Sequence, residues 1–187
     1  MTKTRQDAIN LLDEYVKSES LKRHCYSVAY SMDAYSENLG LSGEEKDKWF
    51  ITGLLHDFDY EKFPTIPEHV TEGVKILRSQ GWDEEIIEAI QGHAQYTGVP
   101  RKTKMAKTLF AVDELSGFVV ALAHVRPGAF EGMSASSVKK ALKKKGFASG
   151  VNREEVQQGV DELSLDKDQH FELVVEAQRK HAKELGF

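Results

Sequence analysis

The sequence predicts an all-α fold, and three observations carry that prediction. No stretch alternates apolar and polar residues as a half-buried strand requires. Apolar residues recur at helical spacing instead, as in Phe171, Val174 and Val175. Capping signals introduce several of these segments, with Ser42, Asn152 and Asp166 each followed three residues later by Glu45, Glu155 or Gln169.

Taken in order, the first two helices run from about Lys3 to Ser18 and from Ser20 to Asn38. The third, Glu44 to Phe58, is opened by the Ser42–Glu45 pair and ends on the apolar run WFITGLLHDFDY. The fourth, Glu68 to Gln80, follows Pro67, a residue suited to a first helical position. In the fifth, Glu84 to Gln95, Trp82 ahead of Asp83 can staple onto Ile87. The sixth, Lys104 to His124, is the most apolar and ends ahead of the clearest break, Pro127-Gly128. Beyond the break lie Ala135 to Lys145, Arg153 to Leu163 (capped by Asn152, with Val151 able to staple onto Val156) and Lys167 to Leu185 behind Asp166.

At 187 residues, 40% hydrophobic and 29% charged, the chain is expected to form one domain over residues 1–187 with a real core. A helical body spans about 20–125, and a more charged extension, about 130–187, is expected to pack onto it. The longest apolar run, Leu109 to Val125, is interrupted by Asp113 and Glu114, so it is not a membrane span, and MTKTRQDAIN lacks a signal-peptide core. The single cysteine, Cys25, forms no internal disulfide and agrees with a cytoplasmic setting. A net charge of −5 argues against general nucleic-acid binding.

The chemistry starts at His56-Asp57. A histidine and a carboxylate side by side after Leu54-Leu55 are costly to bury unless something binds them, and a divalent cation does so naturally. His24, His69, His93 and Asp113 stand in similar settings. Small residues beside these candidates, among them Gly53, Ser116 and Gly117, are expected to leave room for an ion, water and substrate.

In this ordered set the chain resembles the HD-domain superfamily of metal-dependent phosphohydrolases, over roughly Ser20 to Val125. That pattern is a histidine, an adjacent His-Asp pair and a distant aspartate on helices of one bundle, here His24, His56, Asp57 and Asp113. Members with two metals add two histidines in the interval where His69 and His93 stand. The resemblance implies one or two divalent ions (Mn, Fe, Mg, Zn or Ni), with Asp57 as a bridge, and a small phosphorylated substrate, a nucleotide being the first candidate. One departure matters. Many relatives carry a lysine three residues after the Asp of the pair, where this chain has Tyr60, with Lys62 two residues on.

Two aspartates bring −2 and neutral histidines nothing, so one divalent ion gives a neutral site and two leave +2, which attracts an anion such as phosphate. Asp57, with Asp59 and Glu114 beside proposed ligands, are the candidate catalytic groups, Asp59 and Glu114 by orienting a histidine or moving a proton. Lys62, Arg101 and Lys104 are the candidate phosphate contacts. His124 is too far along its helix to join the same ion and is expected to close the helix end; His170 and His181 read as surface residues, as does the lysine face Lys139, Lys140, Lys143 and Lys144. No nucleophile elbow, phosphate loop or dinucleotide fingerprint is present. The expectation is a metal-dependent phosphohydrolase. Its rivals are a di-iron oxygenase of the same ligand set and a non-catalytic metal- or nucleotide-binding module.

Overall fold

The computed structural model describes residues 2–187, and among them every regular element is helical. In order these are α1 (Arg5–Tyr15), α2 (Glu19–Asn38), α3 (Gly43–Leu55), α4 (Glu68–Ser79), α5 (Glu84–His93), a 3-10 turn (Gln95–Thr97), α6 (Lys104–His124), α7 (Ala135–Leu142), α8 (Arg153–Leu163) and α9 (Lys167–Lys180). Among the described residues no helix is long and apolar enough to cross a membrane.

Helix α6 is the axis of the bundle. Its buried residues, Met105 through Ala123, lie around most of its circumference, and α2, α5, α8 and α9 all pack against it. Two glycines set how close the helices come. A Cβ on Gly53 of α3 would stand 2.8 Å from Ala29 Cα of α2, and one on Gly159 of α8 would stand 2.5 Å from Ala111 Cα of α6. Gly53 therefore serves helix packing and not room for an ion, as does Ser116, whose hydroxyl meets that of Ser31 at 2.9 Å in the core. Gly117 alone of these three borders the cleft described below.

The caps of α8 and α9 form as expected: Asn152 accepts from the backbone N–H of Glu154 and Glu155, and Asp166 from that of Gln169. Ser42 does not cap α3, because its side chain accepts no helix donor. An unanticipated capping box sits on α1, where Thr4 and Asp7 satisfy each other's backbone N–H. Helix α3 stops at Leu55, short of Phe58. The His56 ring donates Nδ1–H to the Gly53 carbonyl at 2.8 Å and so occupies the acceptor a further helical turn would use. Helix α4 does not run smoothly from Pro67 either: His69 is extended and Val70 has φ +64°, so regular helix begins only after Val70.

The C-terminal histidines are not surface residues. His170 is 1% exposed, with Nδ1 2.5 Å from the Tyr35 hydroxyl and Nε2 3.2 Å from the Ala111 carbonyl oxygen. Burial pushes its pKa down to about 4. His181 is half-buried and stacks on Tyr30 with centroids 3.8 Å apart. Both tie the C-terminal helix α9 to the body, a role set by neighbours on α2 and α6 that are remote in sequence.

Candidate metal centre

Six side chains converge from five places in the chain. His24 comes from the second turn of α2, and His56 and Asp57 from the tight turns directly after α3. His69 comes from the extended residue at the head of α4, His93 from the last residue of α5, and Asp113 from the middle of α6. Two groups result, and Asp57 belongs to both. In the first, His24 Nε2 and His56 Nε2 are 3.1 Å apart and lie 3.7 and 3.6 Å from Asp57 Oδ2. Asp113 Oδ1 stands 3.1 Å from the first nitrogen and 3.3 Å from the second. In the second, Asp57 Oδ1 lies 3.3 Å from His69 Nε2 and 3.4 Å from His93 Nε2.

The donor set fits a cation. His56 and His93 give their Nδ1–H to the backbone carbonyls of Gly53 and Ile90, three residues back, and His69 faces Asp59 Oδ1 with its Nδ1 at 3.0 Å. A proton held on Nδ1 leaves Nε2 as a lone pair aimed inward. Three such lone pairs and two carboxylates then converge on one another. A proton or a metal ion is what satisfies that arrangement. The C-terminal ends of α3 and α5 also aim here, and their partial negative charge favours a cation.

Electrostatics agree. Burial opposes charging His56, but the fields of Asp57 and Asp113 outweigh it and raise its pKa to about 9. His69 is likewise raised to about 9, against burial, by its bonds to Asp57 and Asp59. Asp57 and Asp113 are held well below the usual carboxylate range, the cost of burial overcome by the surrounding imidazoles.

Asp59, 1% exposed, is no surface carboxylate. Besides His69 it accepts the backbone N–H of Val70 at 2.7 Å and of Gly73 at 3.1 Å. Those bonds hold the left-handed backbone at Val70, a conformation costly for a β-branched residue, and thereby turn His69 inward. This explains why His69 is buried despite its place near a helix start. Tyr96 donates its hydroxyl to the His69 carbonyl at 2.8 Å, and Tyr60 sets its ring edge against the His69 imidazole. Sequence reading placed Tyr60 close after the His56-Asp57 pair but did not anticipate Tyr96.

The group opens into a cleft of about 450 Å³ bordered further by Gln95, Tyr96, Glu114, Gly117, Val151 and Glu155. Glu114 is at this border, its carboxylate accepting from Asn152 N–H at 3.1 Å. Burial and then the neighbouring charge of Asp113 push its pKa up to about 7. The three candidate phosphate contacts are placed elsewhere. Arg101 is bound to both carboxylate oxygens of Glu162 and to the Gly92 carbonyl, and lies over Phe110. Lys62 lies over the Tyr15 ring, and Lys104 is exposed at the start of α6. None of the three borders the cleft. Cys25 is fully buried, with its thiol pushed up by burial and by Asp57 and Asp113, so it is no nucleophile.

The HD-domain family model matches residues 21–117, just over half of the chain, and the chain belongs to the HD-domain family. That family places it among metal-dependent hydrolases. No curated protein and no solved structure matches the chain.

Proposed function

We propose that this protein hydrolyses a phosphoester or phosphoanhydride of a small molecule, using one or two divalent cations. The observation that carries the reading is that the two oxygens of Asp57 face two separate histidine groups. His24, His56, Asp57 and Asp113 would hold one ion, and His69 and His93 with Asp57 a second. A bound cation supplies Lewis acidity, acidifying water and offsetting negative charge on phosphate oxygens. Asp59 keeps His69 in the tautomer and orientation a ligand needs. Glu114, on the cleft wall with a pKa raised to about 7, would take or return a proton during the reaction. Nucleotides are the substrate class the sequence suggested. In favour of them are Tyr60 and Tyr96, exposed aromatic rings beside His69 on which a base can rest. The cytoplasm is the proposed compartment, consistent with an unpaired, buried Cys25.

Elemental analysis of protein purified without added metal, followed by a phosphoester panel in that metal, tests the proposal. Asp57→Asn removes one charge at almost constant volume. It is expected to abolish metal retention and turnover while leaving helical content intact, and wild-type turnover in that variant would remove the reading. Oxygen consumption with a redox-active iron pair, in the absence of hydrolysis, would favour the oxygenase instead.

A further inference from the structure

We infer that the substrate is a small phosphomonoester bearing an ammonium group, and that Glu155 receives that group; the inference rests on the phosphohydrolase reading and sets this class in place of the nucleotide. A phosphate attracted to the histidine–aspartate floor leaves the rest of its molecule against the cleft walls. Those walls are Gln95, Tyr96, Glu114, Val151 and Glu155, and no lysine or arginine is among the described residues that border the cleft. The apolar shoulder on the other side of His24, formed by Leu21, Tyr60 and Pro64, has none either and adds Glu61.

The two wall glutamates have only neutral donors. Gln95 gives its side-chain amide to Glu155 Oε1 at 3.0 Å, and the Asn152 backbone N–H goes to Glu114 Oε2 at 3.1 Å. Among the described residues neither carboxylate is paired with a lysine or arginine, although Lys–Glu and Arg–Glu pairs form elsewhere on the molecule, Arg101–Glu162 among them. A second phosphate or a carboxylate entering this space meets the like charge of Glu155. A hydroxyl meets acceptors it can satisfy. An ammonium group gains a charge-assisted hydrogen bond and neutralises the wall. Recognition of this kind is worth about ten- to a hundredfold in selectivity.

The test compares matched ligands that differ only in the remote group. For hydrolysis by metal-loaded protein, phosphoethanolamine is set against 2-hydroxyethyl phosphate, phosphoglycolate, AMP and ATP. For binding, calorimetry sets 3-aminopropylphosphonate against its neutral isostere butylphosphonate and the anionic 3-phosphonopropionate, none of which water can cleave at phosphorus–carbon. The expected order in both series is ammonium, then neutral, then anionic, with about tenfold or more between first and last. Glu155→Gln is expected to flatten the order and Glu155→Lys to invert it. Both sit at an accessible first-turn position of α8 and keep helix-forming side chains. An anionic or nucleotide ligand equal to phosphoethanolamine, or an order that survives Glu155→Gln, overturns the inference. If the phosphonates bind in the expected order but no ester is cleaved, the hydrolase reading fails and this recognition stands. If the esters are cleaved but binding is flat across the series, the reverse holds.

Discussion

Replacing Asp59 by asparagine removes one charge and almost no volume, and its consequence can be worked out from three hydrogen bonds. The native carboxylate accepts from His69 Nδ1 at 3.0 Å through one oxygen and from Val70 N and Gly73 N at 2.7 and 3.1 Å through the other. Asparagine has only one acceptor oxygen. If that oxygen stays with the two backbone donors, the amide NH₂ faces His69, whose Nδ1 must become the acceptor. The imidazole proton then moves to Nε2, the atom 3.3 Å from Asp57 Oδ1, and the lone pair that would hold a cation is lost. If the amide is reversed, its NH₂ confronts two backbone donors in a buried place, a mismatch of about 1–3 kcal/mol. Either way the His69–His93 half of the site is damaged, while His24, His56 and Asp113 keep their geometry. The expected loss in affinity for a second ion is about ten- to a hundredfold, equivalent to about 1.4–2.7 kcal/mol. Calorimetric metal titration of the purified variant, with circular dichroism to check helicity, measures it. Two ions bound with wild-type affinity at pH 7 would refute the tautomer argument.

Further outcomes follow from the same geometry. His56 and His69, raised to about 9 from 6.5, stabilise the metal-free protein fully below pH 6.5, and that contribution fades as pH climbs to 9. Asp57 and Asp113 act in the opposite window: they are lowered, so their stabilisation is present above pH 3.8 and is lost as pH falls below it. Thermal melts with chelator are therefore expected to decline between pH 6.5 and 9. Calorimetric affinity for zinc is expected to rise over the same interval, because the ion displaces those protons. Gly159→Ala drives a methyl group to 2.5 Å from the Ala111 backbone and should cost about 1–3 kcal/mol in urea melts, whereas Gly150→Ala, with open space around it, should cost nothing comparable. Tyr35→Phe leaves His170 Nδ1 without its buried partner and should destabilise by about 1–3 kcal/mol, without altering metal content.

How much of this was legible in the chain can be argued from particular residues. Helices were legible because their signals are local: apolar spacing, the Asn152 and Asp166 caps, and the break at Pro127-Gly128 all act within a few residues. The six convergent side chains were legible as a set because buried histidines and carboxylates are costly without a ligand, and their order along the chain resembles one family. The misreadings have a common cause. Arg101 was a reasonable phosphate contact until Glu162, sixty-one residues later, bound its guanidinium. His170 looked like a surface residue until Tyr35, one hundred and thirty-five residues earlier, supplied its partner. Ser42 is a separate case, a local misreading: it stands at the start of α3, yet its side chain accepts no helix donor.

The sequence by itself determined that the chain is helical, that it has a core, and which side chains are candidates to hold a cation, since propensity, patterning and the cost of burying charge are properties of residue types and short spacings. Only the tertiary structure decided that Asp57 stands between two histidine groups, that Asp59 aims His69, and that the cleft wall carries glutamates and, among the described residues, neither lysine nor arginine. Those facts depend on which side chains approach across helices distant in sequence, and the direction of a hydrogen bond or the sign of a local field exists only once that approach has been made.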